Sequence, residues 1–138
     1  MPAKGPHDDF ESAKKVIRAG YAQFTLDGDL AATRDRFIDD EIEYVTRDGT
    51  FGIDRWQSDR EVQVGNWDIE FEIEEIIDAG GGAIVLLHKL RRVDKETGKV
   101  VFKAWPAAVV RVHDGKFLFF EGYVDRRRAL AEFGLQES

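Results

Sequence analysis

The chain has 138 residues, 43% of them hydrophobic and including ten Phe, three Trp and three Tyr, which suits one domain with a real core and excludes a disordered chain. A formal charge of −7 argues against nucleic acid, because phosphate binding needs a basic face and the counterion release it gives. With no cysteine in the sequence, disulfides, thiolate nucleophiles and thiolate-held metals are excluded.

In chain order, a first helix is predicted to start at Asp8 or Asp9, with Phe10, Ala13, Ile17, Tyr21 and Phe24 at steps of three and four on one face. Gly28-Asp29 stops it and caps a short second helix carrying Leu30, Arg34, Phe37 and Ile38. Glu41 to Thr46 alternates as a short strand, Asp48 to Gly52 reads as a loop, and Ile53, Trp56, Arg60 and Val64 mark a third helix. From Trp67 the period becomes two. Ile69, Phe71 and Ile73 alternate with three glutamates, and Gly80 to Gly82 is a turn. Ala83 to Val93 and Val100 to Val112 follow as strands, the second bent at Pro106. Asp114-Gly115 is a tight hairpin before the strand Phe117 to Val124. A last helix spans Asp125 to Phe133; Arg126, Arg127 and Arg128 read as its solvated side and Gly134 as its stop.

Helices ahead of an antiparallel meander predict an α+β layer of helices on one sheet face, a single domain over residues 8–135 with 1–7 as a disordered tail. The opening residues are polar and lack the apolar segment of a secretion signal. The longest apolar run, Ala104 to Val110, is far short of a membrane span. A cytoplasmic protein without membrane contact is expected.

Four places carry a resemblance. They are Tyr21 followed by Asp27-Gly28-Asp29, the helix opening Gly52-Ile53-Asp54, the hairpin Asp114-Gly115-Lys116, and the ending Glu121-Gly122-Tyr123-Val124-Asp125 with Ala129-Leu130 and Gly134-Leu135. In order and spacing the chain resembles the SnoaL-like proteins of the nuclear transport factor 2-like (NTF2-like) superfamily over roughly residues 10–135. The resemblance implies a cone-shaped, cystatin-like fold, a curved antiparallel sheet wrapped on helices, with a homodimer through the outer sheet face. That family holds ketosteroid isomerases, polyketide cyclases, limonene epoxide hydrolases, dehydratases and members with no catalysis, so fold does not settle function. The isomerases' helix tyrosine corresponds to Tyr21, but their two acids fall near Val45 and Ala108. The epoxide hydrolases' Arg-x-Asp pair falls near His88 and Leu90, and their second aspartate at Gly122. Neither reaction transfers.

Alternation sends Ile69, Phe71 and Ile73 towards the helices. The family's register adds Ile84, Leu86, His88 and Leu90, then Ala104, Pro106, Ala108 and Val110, then Leu118, Phe120, Gly122 and Val124. Such small, apolar faces suit the wall of a cavity for a small apolar molecule. Trp56, Phe24, Leu86, Ala108, Val110, Phe120 and Gly122 are its expected lining. The polar exceptions, His88, Tyr21 and Tyr44, are the candidate catalytic groups, an imidazole that can move a proton and two phenols that can donate to a ligand oxygen. Each also has a packing reading. Asp48, Asp54 and Asp125 read as a turn residue and two helix caps, and His7 and His113 form no metal set with His88. The outer face, with Lys103, Trp105, Phe117, Phe119 and Tyr123, is the expected dimer surface. Neither a metal nor an organic cofactor is expected. The functional expectation is a ligand-binding domain, open to cofactor-independent proton transfer. The alternative is a non-catalytic carrier, sensor or dimerisation module.

Overall fold

The structure, a computed structural model, describes residues 5–24 and 29–136. Asp9 opens α1 (Phe10–Ala22) by accepting from the Ser12 amide at 2.9 Å, and Asp29 opens α2 (Leu30–Phe37) by accepting from Ala32. The helix stop expected at Asp27-Gly28 lies outside the described residues. Ala13, Ile17 and Gly20 form the buried face of α1. A Cβ on Gly20 would stand 3.2 Å from the Phe117 ring and 3.4 Å from Phe37, so a bare residue there lets the helix approach the sheet.

β1 (Ile38–Thr46) and β2 (Gly49–Phe51) form a small hairpin, so the expected loop at 48–52 is partly strand. After α3 (Ile53–Asn66) come β3 (Trp67–Gly80), β4 (Ala83–Asp94), β5 (Val100–Ala104), β6 (Ala107–His113) and β7 (Lys116–Tyr123), then α4 (Arg126–Glu132). The sheet order is β2-β1-β7-β6-β4-β3, with β5 also on β4 and a single parallel pairing, β1 with β7. Gly81 and Gly82, and Asp114 and Gly115, take the positive φ angles that two-residue hairpins require. The expected long strand 100–112 is two strands broken at Trp105-Pro106, where proline has no N–H for the ladder.

Two bulges re-aim side chains. An extra residue between Ile73 and Glu75 switches the facing of β3, so Ile76 meets Leu86 on the helix side and Ile77 meets Val85 on the other. A shift between Arg111 and Val112 on β6 turns Phe117 towards the helices. Phe117 was expected outside and Leu118 inside; the bulge is why the register read from the sequence fails at that end.

The outer face is not the open surface expected. Ala129 and Leu130 of α4 pack there with Phe119, Val85, Val109, Ala83, Leu87 and Ala107. Phe119 is fully buried within the chain and cannot form a dimer surface. A continuous apolar run in β4 fits burial on both faces. Residues 5–8 also run along the sheet, where a loose tail was expected up to residue 7. Asp8 donates its amide to Val112, and Arg111 donates to the Pro6 carbonyl at 3.0 Å. Among the described residues no helix is long and apolar enough to cross a membrane.

Candidate functional site

Between α1, α2, α3 and the inner sheet face lies a cavity of about 310 Å³, at the small end of the roughly 300–1,000 Å³ usual for small-molecule sites. Its wall is mostly apolar: Phe24, Ile38, Trp56, Phe71, Leu90, Ala108, Phe117, Phe120 and Gly122 all contribute. Val124 stands exposed among the lining residues.

Tyr21 and His88 meet on this wall. The phenol oxygen of Tyr21 lies 2.9 Å from Nε2 of His88, and the two rings stack with centroids 5.2 Å apart. Phe71 packs its edge region against both, at 5.7 Å from Tyr21 and 5.5 Å from His88. Burial pushes the imidazole down to about 4, with the Arg126 charge adding to the fall and the Pro106 carbonyl and Glu74 opposing it. The ring is therefore neutral at neutral pH. Although the Pro106 carbonyl favours the charged ring, it makes no hydrogen bond with Nδ1, which is buried without a partner among the described residues. Burial also raises the Tyr21 phenol well above its ordinary value, with Arg60 opposing.

The backbone around His88 explains its fixed position. Leu87 still pairs with Ala107, then the His88 amide donates to the Pro106 carbonyl at 3.0 Å, and regular pairing resumes at Leu90 and Ala104. The gap leaves carbonyls without ladder partners. Arg126 supplies them, donating to Trp105 at 3.0 Å, to the His88 carbonyl at 2.7 Å and to Glu74 at 2.6 Å. Its side chain is only 14% exposed. Arg126 is thus a sheet clamp, whereas Arg127 and Arg128 fit the solvated helix side expected for all three.

Of the ten residues singled out in sequence, Tyr21, His88, Trp56, Phe24, Ala108, Phe120 and Gly122 line the cavity. Leu86 and Val110 are fully buried in the core and are not among the lining residues. Tyr44 does not join Tyr21 and His88: its hydroxyl donates to Asp59 at 2.7 Å, fixing α3 to β1. Asp59 also accepts from Arg55, which reaches Asp48 in turn. Asp54 does not cap α3; the N-cap is Gly52, without a side-chain bond, and Asp54 pairs with Arg34 at 3.5 Å. Asp125 caps α4 as expected.

Besides Thr33 of α2, sequence reasoning left two polar residues of α3 out of the lining, Arg60 and Gln63. The signal was present: they follow Trp56 by four and seven positions, on the same helix face. Arg60 Nε and Gln63 Oε1 are buried without a hydrogen-bond partner among the described residues. Away from the cavity lining, Asp8, His113 and Asp114 could jointly reach a cation, but both Asp8 oxygens already accept from the Asp114 and Gly115 amides at 2.9 Å.

No protein-family model matches the chain, and no curated protein matches it. Solved structures do. AclR from Streptomyces galilaeus superposes with a TM-score of 0.71 at 15% identity, covering 94% of this chain and 89% of that one. An M. tuberculosis LEH-like epoxide hydrolase gives 0.65 at 19% identity over 83% and 84% of the two chains. An NTF2-like protein of unknown function from Exiguobacterium gives 0.65 at 19% over 80% and 98%. The chain has the NTF2-like fold, an α+β structure with a curved, mainly antiparallel sheet and a short C-terminal helix. At these identities the likeness is one of fold.

Proposed function

We propose that this chain binds a small, mostly apolar molecule bearing an oxygen function in the cavity, where the Tyr21 hydroxyl, oriented by His88, hydrogen-bonds that oxygen. The observation that carries this reading is the Tyr21–His88 pair, a buried polar couple on an otherwise apolar wall. With Nε2–H donating to the phenol oxygen, the Tyr21 O–H can donate to a ligand carbonyl. The SnoaL-like resemblance and the hydrolase fold neighbour agree with such a pocket. The test is ligand-dependent melting with 4-phenyl-2-butanone. Stabilisation of the wild type, absent in the cavity-filling variant Ala108→Phe, is expected. Equal stabilisation of both variants would place the ketone elsewhere and end the proposal.

A second reading, cofactor-independent proton transfer, is favoured by the same pair's apolar setting. Donors fixed in a dry site stabilise charge developing on a ligand oxygen, as in an enolate. In this role His88 acts in the other tautomer, its unprotonated Nε2 taking the Tyr21 hydroxyl proton as the phenol oxygen takes the ligand's, so activity would rise with pH through about 4 and then level off. Deuterium exchange from D2O into the ketone's α-carbons, measured by NMR, checks this; equal rates in wild type and His88→Gln would remove catalysis from the reading. We place the protein in the cytoplasm as a homodimer. The dimer now rests on the exposed strip Val101, Phe102, Lys103 and Trp105, with Tyr123 half-buried nearby and Phe119 excluded.

A further inference from the structure

We infer that the ligand is a monocarboxylic acid, its apolar body among the aromatic side chains and its carboxylate on Arg60. The inference rests on the binding reading above and adds the charge of the ligand. Arg60 brings a guanidinium into a wall that Trp56 and the neighbouring aromatics make apolar. The residue is half-buried and its guanidinium also lies over the Tyr44 ring, so the cost is partial, and an anion that meets it still lowers that cost. The carboxylate on the same helix turn, Asp59, is already taken by Arg55 and the Tyr44 hydroxyl. Among the described residues Arg60 has no ion pair; its one hydrogen bond runs from Nη2 to the Tyr44 hydroxyl at 3.3 Å. Nε is left buried and unmatched, with Gln63 Oε1 unmatched one turn further on.

A carboxylate answers both atoms once the Arg60 and Gln63 side chains turn towards it, since Nε and Oε1 are covered as they stand. Its oxygens can accept from Nε and an Nη of one guanidinium edge, the strong forked arrangement. A half-turn of the Gln63 amide presents an NH2 donor to the same group. One guanidinium balances one negative charge, which favours a carboxylate over a phosphate dianion. Among the described residues lining the cavity there is no carboxylate side chain. Arg60 and Tyr21 line the same cavity, and the Arg60 charge opposes, without cancelling, the effect of burial on the phenol.

The experiment compares 4-phenylbutyrate with 4-phenylbutanol by calorimetric titration at pH 7.5. The acid should bind wild type at least tenfold tighter than the alcohol. Arg60→Met should abolish that preference while leaving alcohol affinity within about twofold, and Arg60→Lys should keep part of it. Circular dichroism controls for folding, and should Arg60→Met not fold, the Arg60→Lys and wild-type ratios decide. Equal binding of acid and alcohol by wild type overturns the carboxylate assignment alone. So does an acid preference that survives in Arg60→Met. Binding of neither probe, nor of 4-phenyl-2-butanone, overturns both this inference and the cavity reading beneath it.

Discussion

His88 is where burial and charge are most tightly linked. Neutral in the fold with its pKa near 4, and with an ordinary value of 6.5 once unfolded, it lets the unfolded chain bind more protons between those limits. Its contribution is complete above about pH 6.5 and is lost as pH falls towards 4. The upper bound is on the order of 3 kcal/mol. Urea titrations at pH 7 and pH 4.5 should show a larger acid loss in wild type than in His88→Gln; equal losses would mean that the ring is not held neutral. Tyr21→Phe removes the partner of Nε2 and should cost about 1–3 kcal/mol by the same titration. Tyr44→Phe frees Oδ2 of Asp59 while Arg55 still holds Oδ1, so α3 should loosen while the Tyr21–His88 pair stays intact. In the sequence Tyr21 matched the isomerases' helix tyrosine, and Tyr44 had only its alternation with Ile42. What separated them in the fold was distance in space, since Tyr44 lies on β1 under α3 and Tyr21 on α1 opposite β4.

At the level of elements, the break between β5 and β6 and the helix α4 work together. Pro106 interrupts the ladder, and Arg126 closes the gap from the first turn of α4. Arg126→Ala should cost about 1–3 kcal/mol per carbonyl left buried and unmatched, read by thermal unfolding. Lysine, a point donor without a fork, should rescue it only in part. The other anchor of α4 is Leu130, buried over the outer face. Leu130→Ala should cost about 2–5 kcal/mol and expose Phe119 to dye binding. The helices, the bend at Pro106 and both glycine hairpins were legible because each depends on local signals: a 3.6-residue stripe, a cap, a residue without an N–H, a positive φ. The bulges at Glu74 and at Phe117–Leu118 were not, because no residue type marks the point where two strands slip by one.

For the whole molecule, the decisive change from expectation is that the sheet has two dry faces. The inner one carries the cavity and the outer one a second core beneath α4. Self-association is then left to the exposed apolar strip around Trp105. Trp105→Glu should convert the proposed dimer to monomer by sedimentation with little change in melting temperature; an unchanged sedimentation coefficient would place the contact elsewhere.

The amino-acid sequence by itself determined the element order, the α+β class, most of the apolar wall and the inward facing of His88 and Tyr21, because periodicity and punctuation are local properties. Only the tertiary structure decided which polar groups meet. It joined Tyr21 to His88 across 67 positions of chain, moved Tyr44 to Asp59, set Arg60 and Gln63 on the cavity wall and laid α4 over Phe119. The physical reason is that a buried polar atom's partner depends on register slips and close approaches between distant segments, which one-dimensional spacing does not encode.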